Sequence, residues 1–243
     1  MRRLYYDLHL HSCLSPCGDD DMTPANIVGM AHLNGLQLLA LTDHNSVKNA
    51  PAFCSACEKM GIIPIPGMEL TTAEDIHIVV LFRTLEDALT FDSALEQYRI
   101  LYKNPVDIYG HQFVLDEHDE VVCEEPYLLS NALMLSLSDA VTLARTHNAL
   151  VYPAHIDREA NGIISILGAI PEELGFTTVE FHNADAIDEY TERYHLEHMH
   201  IVVSSDAHYL WDIQDANQYF DVSKELTSDE VRHFILSRLE ESL

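Results

Sequence analysis

The chain has 243 residues, 47% of them apolar, which is enough for one large core, and its 13 Lys and Arg against 40 Asp and Glu leave a net charge of −27. That charge repels a polyphosphate backbone and offers no overall counterion release, so no long duplex nucleic acid is expected as a partner. No apolar run reaches the ~18 residues that cross a bilayer, the start Met1-Arg-Arg-Leu-Tyr-Tyr-Asp7 lacks an apolar signal stretch, and five cysteines are an odd set for a disulfide framework; a cytoplasmic protein without a membrane partner is expected.

Leu4 to Leu8 reads as a short strand, followed by a polar loop through Gly18-Asp-Asp-Asp21 and a helix announced by Thr23 as N-cap and Pro24 at the first helical position. Gly35 ends that helix. Leu38 to Thr42 is a buried strand, a helix follows near Val47 to Met60 with Gly61 at its end, and Ile62 to Pro66 is the third strand. This alternation is the pattern of a parallel sheet flanked by helices. Ile76 to Phe82 reads as a strand and Leu85 to Tyr102 as a helix; then Gln112 to Cys123 alternates on either side of an acidic turn, a hairpin within an insertion of about 103–136. A helix capped by Ser138 precedes strands at Leu150 to Pro153, Thr178 to Phe181 and His200 to Ser204. A final helix from about Thr227 to Leu239 spaces Val231, Phe234, Ile235 and Leu239 along one face. Nothing in composition marks a linker, so residues 1–243 are read as a single domain.

Ligand-type residues recur behind the apolar runs. His9 and His11 follow the first strand, Asp43 and His44 the second, Glu69 the third, His155 the strand ending at Pro153, His182 the strand ending at Phe181, and Asp206 and His208 the last. In α/β barrels the C-terminal ends of the strands converge on one face, so residues nearly two hundred positions apart can share a pocket. Histidines with carboxylates are the donor set of a hydrolytic centre with several divalent ions. Cys54-x-x-Cys57 sits in a helical run and is read as packing. Cys13 and Cys17 lie in the loop beside the first histidines, but thiolates select softer, structural metal sites and are not expected as ligands.

With His9-Leu-His11-Ser12, Thr42-Asp43-His44, Gly67-Met-Glu69, His77, Ala154-His155 and Ser205-Asp206-Ala-His208 in this order, the chain resembles the polymerase-and-histidinol-phosphatase (PHP) family of metal-dependent phosphoesterases. The resemblance implies a distorted seven-stranded (β/α) TIM-like barrel, with the hairpin-bearing insertion added, and three divalent ions (zinc, manganese or iron). His9, His11, Glu69 and Asp206 would hold the first; Glu69 would bridge to a second held by His77 and His155. The third would take His44, His208 and one residue of the loop after the H-x-H, a histidine or an aspartate in related proteins. Here Asp19, Asp20 and Asp21 compete for that place; Asp19 is chosen because the other two lie nearer the helix N-terminus.

Glu69, Asp206 and His208 are the expected catalytic residues. Asp43 is expected to orient a ligand imidazole from behind, and Arg158 and Lys48 to hold a phosphate. The implied activity is hydrolysis of a small or terminal phosphate ester: a nucleoside phosphate or bisphosphate, or the end of a short oligonucleotide. Histidinol-phosphate phosphatase and a non-catalytic metal-binding regulatory module are the alternatives. A C–N hydrolase of the amidohydrolase type would instead call for a bridging lysine, where this chain has Glu69.

Overall fold

A computed structural model describes residues 1–243. The chain runs β1 (Arg2–Asp7), α1 (Pro24–Leu33), β2 (Leu38–Leu41), α2 (Ala50–Met60), β3 (Ile63–Thr71), β4 (His77–Phe82) and α3 (Leu85–Leu95). It continues through α4 (Val106–Tyr109), β5 (Phe113–Leu115), β6 (Val121–Glu124), α5 (Leu137–Thr146) and β7 (Ala149–Pro153). The last third holds α6 (Ile163–Leu167), β8 (Thr178–Phe181), α7 (Ile187–Tyr194), β9 (His200–Val203), β10 (Tyr219–Val222) and α8 (Ser228–Glu240). No helix is long and apolar enough to cross a membrane.

Six strands form one curled sheet in the order β10-β1-β2-β3-β4-β7, and β8 pairs in parallel with β9. The bridge Leu10↔Ala207 draws the segment after β9 against the segment after β1 and so closes the curl into a TIM-like barrel. Strand alternation divides the core. On β4, Val79 and Leu81 point inward to join Tyr6, Leu38, Ile65 and Tyr152, while Ile78, Val80 and Phe82 point outward to Phe91 of α3 and Val141 of α5. Burying side chains of this size contributes roughly 1.5–3 kcal/mol each. Helix α8 adds Val231, Ile235, Leu236 and Leu239 to the inward cluster. Its N-terminus is held by a reciprocal capping box between Thr227 and Glu230.

The structure departs from the expected pattern at β4, which runs antiparallel to both β3 and β7. No helix crosses between β3 and β4; the chain reverses through Thr72 to Ile76, with Thr71 opposite His77. That reversal puts the start of β4 on the same rim as the end of β3, and Ile78↔Pro153 puts the end of β7 there too. A residue at the beginning of a strand thereby joins residues at the ends of others.

Other boundaries shift for local reasons. The first helix caps as expected, Thr23 accepting from Asn26 N. Helix α3 stops at Leu95 instead of reaching Tyr102, because Arg99 turns back to Asp92 and the Asn45 carbonyl. Ser136, not Ser138, caps α5 by accepting from Asp139 N. Phe234 lies outside the docked face of α8 and is 43% exposed. Strand β10, an antiparallel edge on β1, was not foreseen from the sequence. The expected hairpin forms between β5 and β6 and lies against the loop after β1, with Phe113 N donating to the Cys13 carbonyl.

Candidate metal centre

The rim built by these strand ends carries the ligand-type side chains. His9 and His11 leave β1 at alternate positions. His11 N donates to the Ala207 carbonyl at 3.0 Å, which places Asp206 and His208 beside them. His44 follows β2 and bridges in parallel to Glu69 on β3. His155 (φ 25°) and Asp206 (φ 51°) both hold left-handed backbone conformations, which cost about 1–3 kcal/mol in a residue with a side chain and persist where surrounding contacts enforce them.

Glu69 is the hub. Its Oε1 lies 2.7 Å from His77 Nδ1, 3.1 Å from His155 Nε2 and 3.4 Å from His9 Nε2; its Oε2 lies 3.0 Å from His44 Nδ1 and 3.3 Å from His11 Nε2. Asp206 Oδ1 stands 3.1 Å from His11 Nε2 and 3.3 Å from His9 Nε2. Three sets have donor atoms within 4.8 Å of one another: His9, His11, Glu69 and Asp206; His44, Glu69 and His77; and His11, His44 and His208.

Yet His44 Nδ1, His77 Nδ1 and Asp206 Oδ1 are buried without any hydrogen-bond partner. Their close contacts lack hydrogen-bond alignment, which is what donors aimed at a shared point between them would show. Buried and unsatisfied polar atoms cost about 1–3 kcal/mol each unless something completes them. Imidazole nitrogens with carboxylate oxygens are the donor set for zinc, manganese or iron, so the residues fit the metal centre that the sequence implies.

The charges are arranged accordingly. Burial pushes the Glu69 carboxyl up, but His77, His9 and His44 outweigh it and hold the group well below the usual carboxylate range. Asp206 is lowered in the same way, burial being overcome by His9 and His11. His9 goes well above its ordinary value despite burial, under the pull of Glu180, Asp206 and Glu69. For His77 burial prevails over Glu69, and the imidazole is lowered.

Glu180, which sequence reasoning passed over in favour of His182, is buried on β8. Its Oε1 lies 2.8 Å from His9 Nδ1 and accepts from His155 N at 3.1 Å. A carboxylate behind a ligand imidazole fixes the ring and its tautomer. The readable signal was a lone carboxylate inside the otherwise uncharged strand Thr178-Val-Glu-Phe181. Asp43 acts at one remove: it accepts from Ser12 N, Ser12 Oγ and Ser15 Oγ, each at 2.7 Å, and Ser15 Oγ lies 2.9 Å from His11 Nδ1.

The remaining expected residues divide. Arg158 reaches the centre, with Nη1 donating to Asp206 Oδ2 at 2.5 Å. His182 sits behind it, Nδ1 lying 3.1 Å from Arg158 Nη2. Lys48 does not reach the centre: it pairs with Glu125 and lines a cavity of about 420 Å³ with Asn45 and Arg99. Asp19 lies outside the three donor sets, and its Oδ1 accepts from Asp21 N at 2.9 Å. Cys17 stands closer, with Sγ 3.2 Å from His44 Nε2. Burial raises this thiol, but His44 and His208 prevail and bring it down to about 5. Cys13, buried nearby, is pushed up to about 12.

His44, Glu69, His77, His155, Asp206 and His208 line a cleft of about 160 Å³ with Arg158 and Asn161. A wider groove of about 540 Å³ shares Arg158, Asp206 and His208 and extends past His182 to Tyr209 and Gln214. Tyr209 stacks on Trp211 with ring centroids 4.8 Å apart, and Trp211 is 75% exposed.

The fold is shared with solved structures of low sequence identity. A lesion-specific endonuclease, PfuEndoQ from Pyrococcus furiosus, superposes with TM-score 0.68 at 20% identity, over 97% of this chain and 56% of that one. An Endonuclease Q complex with a 27-mer duplex bearing an abasic lesion at the active site gives 0.62 at 19%, over 97% of this chain and 57% of that one. A protein from Bifidobacterium adolescentis described as a metal-dependent phosphoesterase gives 0.58 at 16% identity, over 97% and 96%.

The endonuclease complex overturns the expectation of a small phosphorylated substrate with no long duplex nucleic acid. A protein that contains this fold binds duplex DNA. The argument from net charge fails physically because surface charges are screened within about 10 Å, so the total of −27 does not set the field inside one cleft.

In sequence, the 5'-3' exoribonuclease of Haemophilus influenzae is 37% identical over 79 residues, which are 31% of this chain and 28% of that protein. The chain spans less than a third of the length of the curated relatives it matches. Residues 7–160, from the aspartate before the first histidine pair to the segment beyond Arg158, match the profile described as the PHP domain, and the chain belongs to that family of metal-dependent phosphoesterases.

Proposed function

We propose that this protein hydrolyses a phosphate ester at a centre of three divalent ions. His9, His11, Glu69 and Asp206 would hold the first ion. Glu69 would also serve the second, together with His77 and His155, and His44 and His208 would hold the third. The observation that carries this reading is the convergence of five imidazoles on the two oxygens of Glu69 while buried donor atoms beside them stay unpartnered. Bound divalent ions supply Lewis acidity to the phosphate and acidify water held beside it.

The chain's own residues do the rest. Glu69 and Asp206 neutralise the ions and keep them close together. Glu180 and the Asp43–Ser15 pair hold His9 and His11 in place. Arg158, braced on Asp206 and His182, presents a guanidinium to a phosphate oxygen at the cleft mouth. His208 stands on the rim, 22% of its side chain exposed, where a leaving oxygen departs.

The substrate that fits is a nucleotidic phosphate, terminal or within a strand, over histidinol phosphate. Tyr209 lines the groove that adjoins the cleft, and its partner Trp211 offers an open ring face. Aromatic faces of this kind stack bases regardless of sequence.

The test is hydrolysis of a panel with manganese, zinc and iron: histidinol phosphate, nucleoside monophosphates, 3′,5′-bisphosphates, short oligonucleotides and a duplex with an abasic site. Activity on the nucleotidic members supports the proposal. Inactivity on all members, with metal demonstrably bound, refutes it in favour of a non-catalytic metal-binding module.

A further inference from the structure

The loop after β1 holds a residue pair that departs from the family pattern. The third metal position calls for a side chain from this loop, and of the three aspartates that compete for it Asp19 is the one chosen, because the other two lie nearer the helix N-terminus. Its carboxylate is engaged within the loop, where Oδ1 accepts from Asp21 N, and neither Asp19 nor Cys17 stands within 4.8 Å of all three nitrogens of the group formed by His11, His44 and His208. What the loop presents to that group is a sulfur, with Cys17 Sγ 3.2 Å from His44 Nε2.

The backbone leaves little freedom for a different arrangement. Ser15 N donates to the Ser12 carbonyl at 3.0 Å and Gly18 N to the Ser15 carbonyl at 2.9 Å, so Ser12 to Gly18 is two tight turns in succession. A Cβ on Gly18 would stand 2.5 Å from the Ser12 carbonyl oxygen, so this close approach requires glycine. Asp19 N then donates to the His208 carbonyl at 2.9 Å, which fastens the loop to the very residue that supplies the second imidazole. The sulfur is thus held beside His44 by main-chain bonds on both sides of it.

The distances suit a shared ion. Zinc–sulfur and zinc–nitrogen bonds of about 2.3 Å and 2.0–2.1 Å place two donors of a tetrahedron roughly 3.5 Å apart. The Cys17–His44 separation of 3.2 Å needs an adjustment of a few tenths of an ångström. His44 is itself 95% buried, and its other nitrogen, Nδ1, lies 3.0 Å from Glu69 Oε2, where it can carry the ring proton while Nε2 faces Cys17.

Resting on the metal-centre reading above, we propose that Cys17, in place of Asp19, is the loop ligand of the third ion, joining His44 and His208 through its sulfur. A thiolate in that position favours borderline ions such as zinc or iron(II) over manganese, so the third position differs in metal preference from the two that Glu69 bridges. It also makes one ion of the centre dependent on a solvent-accessible cysteine.

Cobalt(II) titration of the metal-free full chain tests this, since thiolate-to-cobalt charge transfer absorbs in the near ultraviolet whether or not the protein turns over substrate. The unmodified chain and Asp19→Asn bind three ions and show the band. Cys17→Ser loses the band and one ion. Cys17→Asp, with an oxygen donor in the same place, keeps three ions and lacks the band. Cys13→Ser, at the other thiol of the loop, keeps both.

Far-ultraviolet circular dichroism and the Tm of the metal-free variants are expected to match the unmodified chain, because Cys17 packs no core. An unchanged band in Cys17→Ser, or an ion lost in Asp19→Asn and not in Cys17→Ser, overturns the assignment. Two ions in every variant and no band refute Cys17 and leave the Glu69-bridged pair standing. No cobalt bound by the unmodified chain refutes the metal-centre reading itself, and this inference with it.

Discussion

Two buried polar regions lie within a few residues of each other along the chain, and they differ in how their polar atoms are satisfied. Around the 420 Å³ cavity the groups are paired. Lys48 meets Glu125, Arg99 Nη2 donates to Asp92 Oδ1 at 2.8 Å and to the Asn45 carbonyl at 2.7 Å, and Gln112 uses both ends of its amide on main-chain groups. Arg99 Nε, Asn104 Oδ1 and Thr71 Oγ1 are left over nearby. In the cleft, four atoms of the expected ligands, His44 Nδ1, His77 Nδ1, His155 Nδ1 and Asp206 Oδ1, have no partner although other donors and acceptors crowd them. Paired burial holds a fold together. Unpaired burial with convergent geometry is costly for the fold alone and finds its reason in an added ion.

The largest effect expected from this contrast is at Glu69. Glu69→Gln removes the bridging charge and should abolish loading of at least two ions. Phosphate release should fall by ~10³-fold or more, about 4 kcal/mol of barrier. Metal content and turnover are measured together, with circular dichroism as the control for folding. Turnover retained near the original level would show that Glu69 is not the bridge. One step removed, Glu180→Gln leaves every proposed ligand in place and loosens the His9 ring. Metal affinity should weaken by roughly 10–100-fold, read by competition with a chelating dye.

The same comparison predicts a pH signature for the metal-free chain. Against burial, Glu180, Asp206 and Glu69 raise His9 well above 6.5, and Cys17 and Glu69 do the same for His44. A raised folded-state value means a stabilisation that is complete below 6.5 and is lost as pH rises through the folded value. His77, lowered by burial, works in the opposite sense, its contribution complete above 6.5 and lost on acidification. Above 6.5 three raised imidazoles, His9, His11 and His44, outweigh the one group that works against them, the Cys17 thiol brought down to about 5, so Tm of the metal-free chain should fall on the alkaline side, and metal, which replaces those protons, should remove that slope. A metal-free Tm that does not change above 6.5 would show that His9 and His44 are not held charged.

How far the sequence carried each region follows from what sequence can encode. The barrel was legible because strand and helix periods, the Thr23-Pro24 start and Gly61 are local signals. Most of the histidine and carboxylate positions were legible because they follow apolar runs, whereas His77 stands at the start of one. The reversal at β4 was not, since a strand's direction depends on a partner, and no local pattern distinguishes the turn at Thr72 to Ile76 from a short crossover. Glu180 was hidden because histidines drew the reading toward His182 two positions on. The place of Cys17 beside His44 was hidden because three successive aspartates draw the eye in this loop, whereas main-chain bonds decide which side chain lies against the histidines.

Trp211 tests the substrate side of the comparison. It is the one tryptophan of the chain, so its fluorescence reports directly on a stacked base. Single-stranded oligonucleotides should quench it, and Trp211→Ala should weaken their binding by about 1–3 kcal/mol per base stacked, with metal content unchanged. Unaltered emission at saturating oligonucleotide would place the base elsewhere.

The smallest expected effect is at Lys48, where the contrast is sharpest. From sequence alone this scarce cation four residues after His44 was an attractive phosphate ligand, but in an acidic chain a lysine finds a carboxylate first, and Glu125 takes it. With 37% of the lysine side chain exposed, the pair contributes at most about 1 kcal/mol. Lys48→Met alone leaves Glu125, 7% exposed, without its partner and should lower Tm slightly. Lys48→Met with Glu125→Gln removes both charges and should recover much of that loss. In both variants kcat/KM should stay within about twofold, less than the 1.4 kcal/mol that a tenfold change represents. A tenfold loss confined to KM in the double variant would mean that the paired region also binds substrate, and the division between the two regions would fail there.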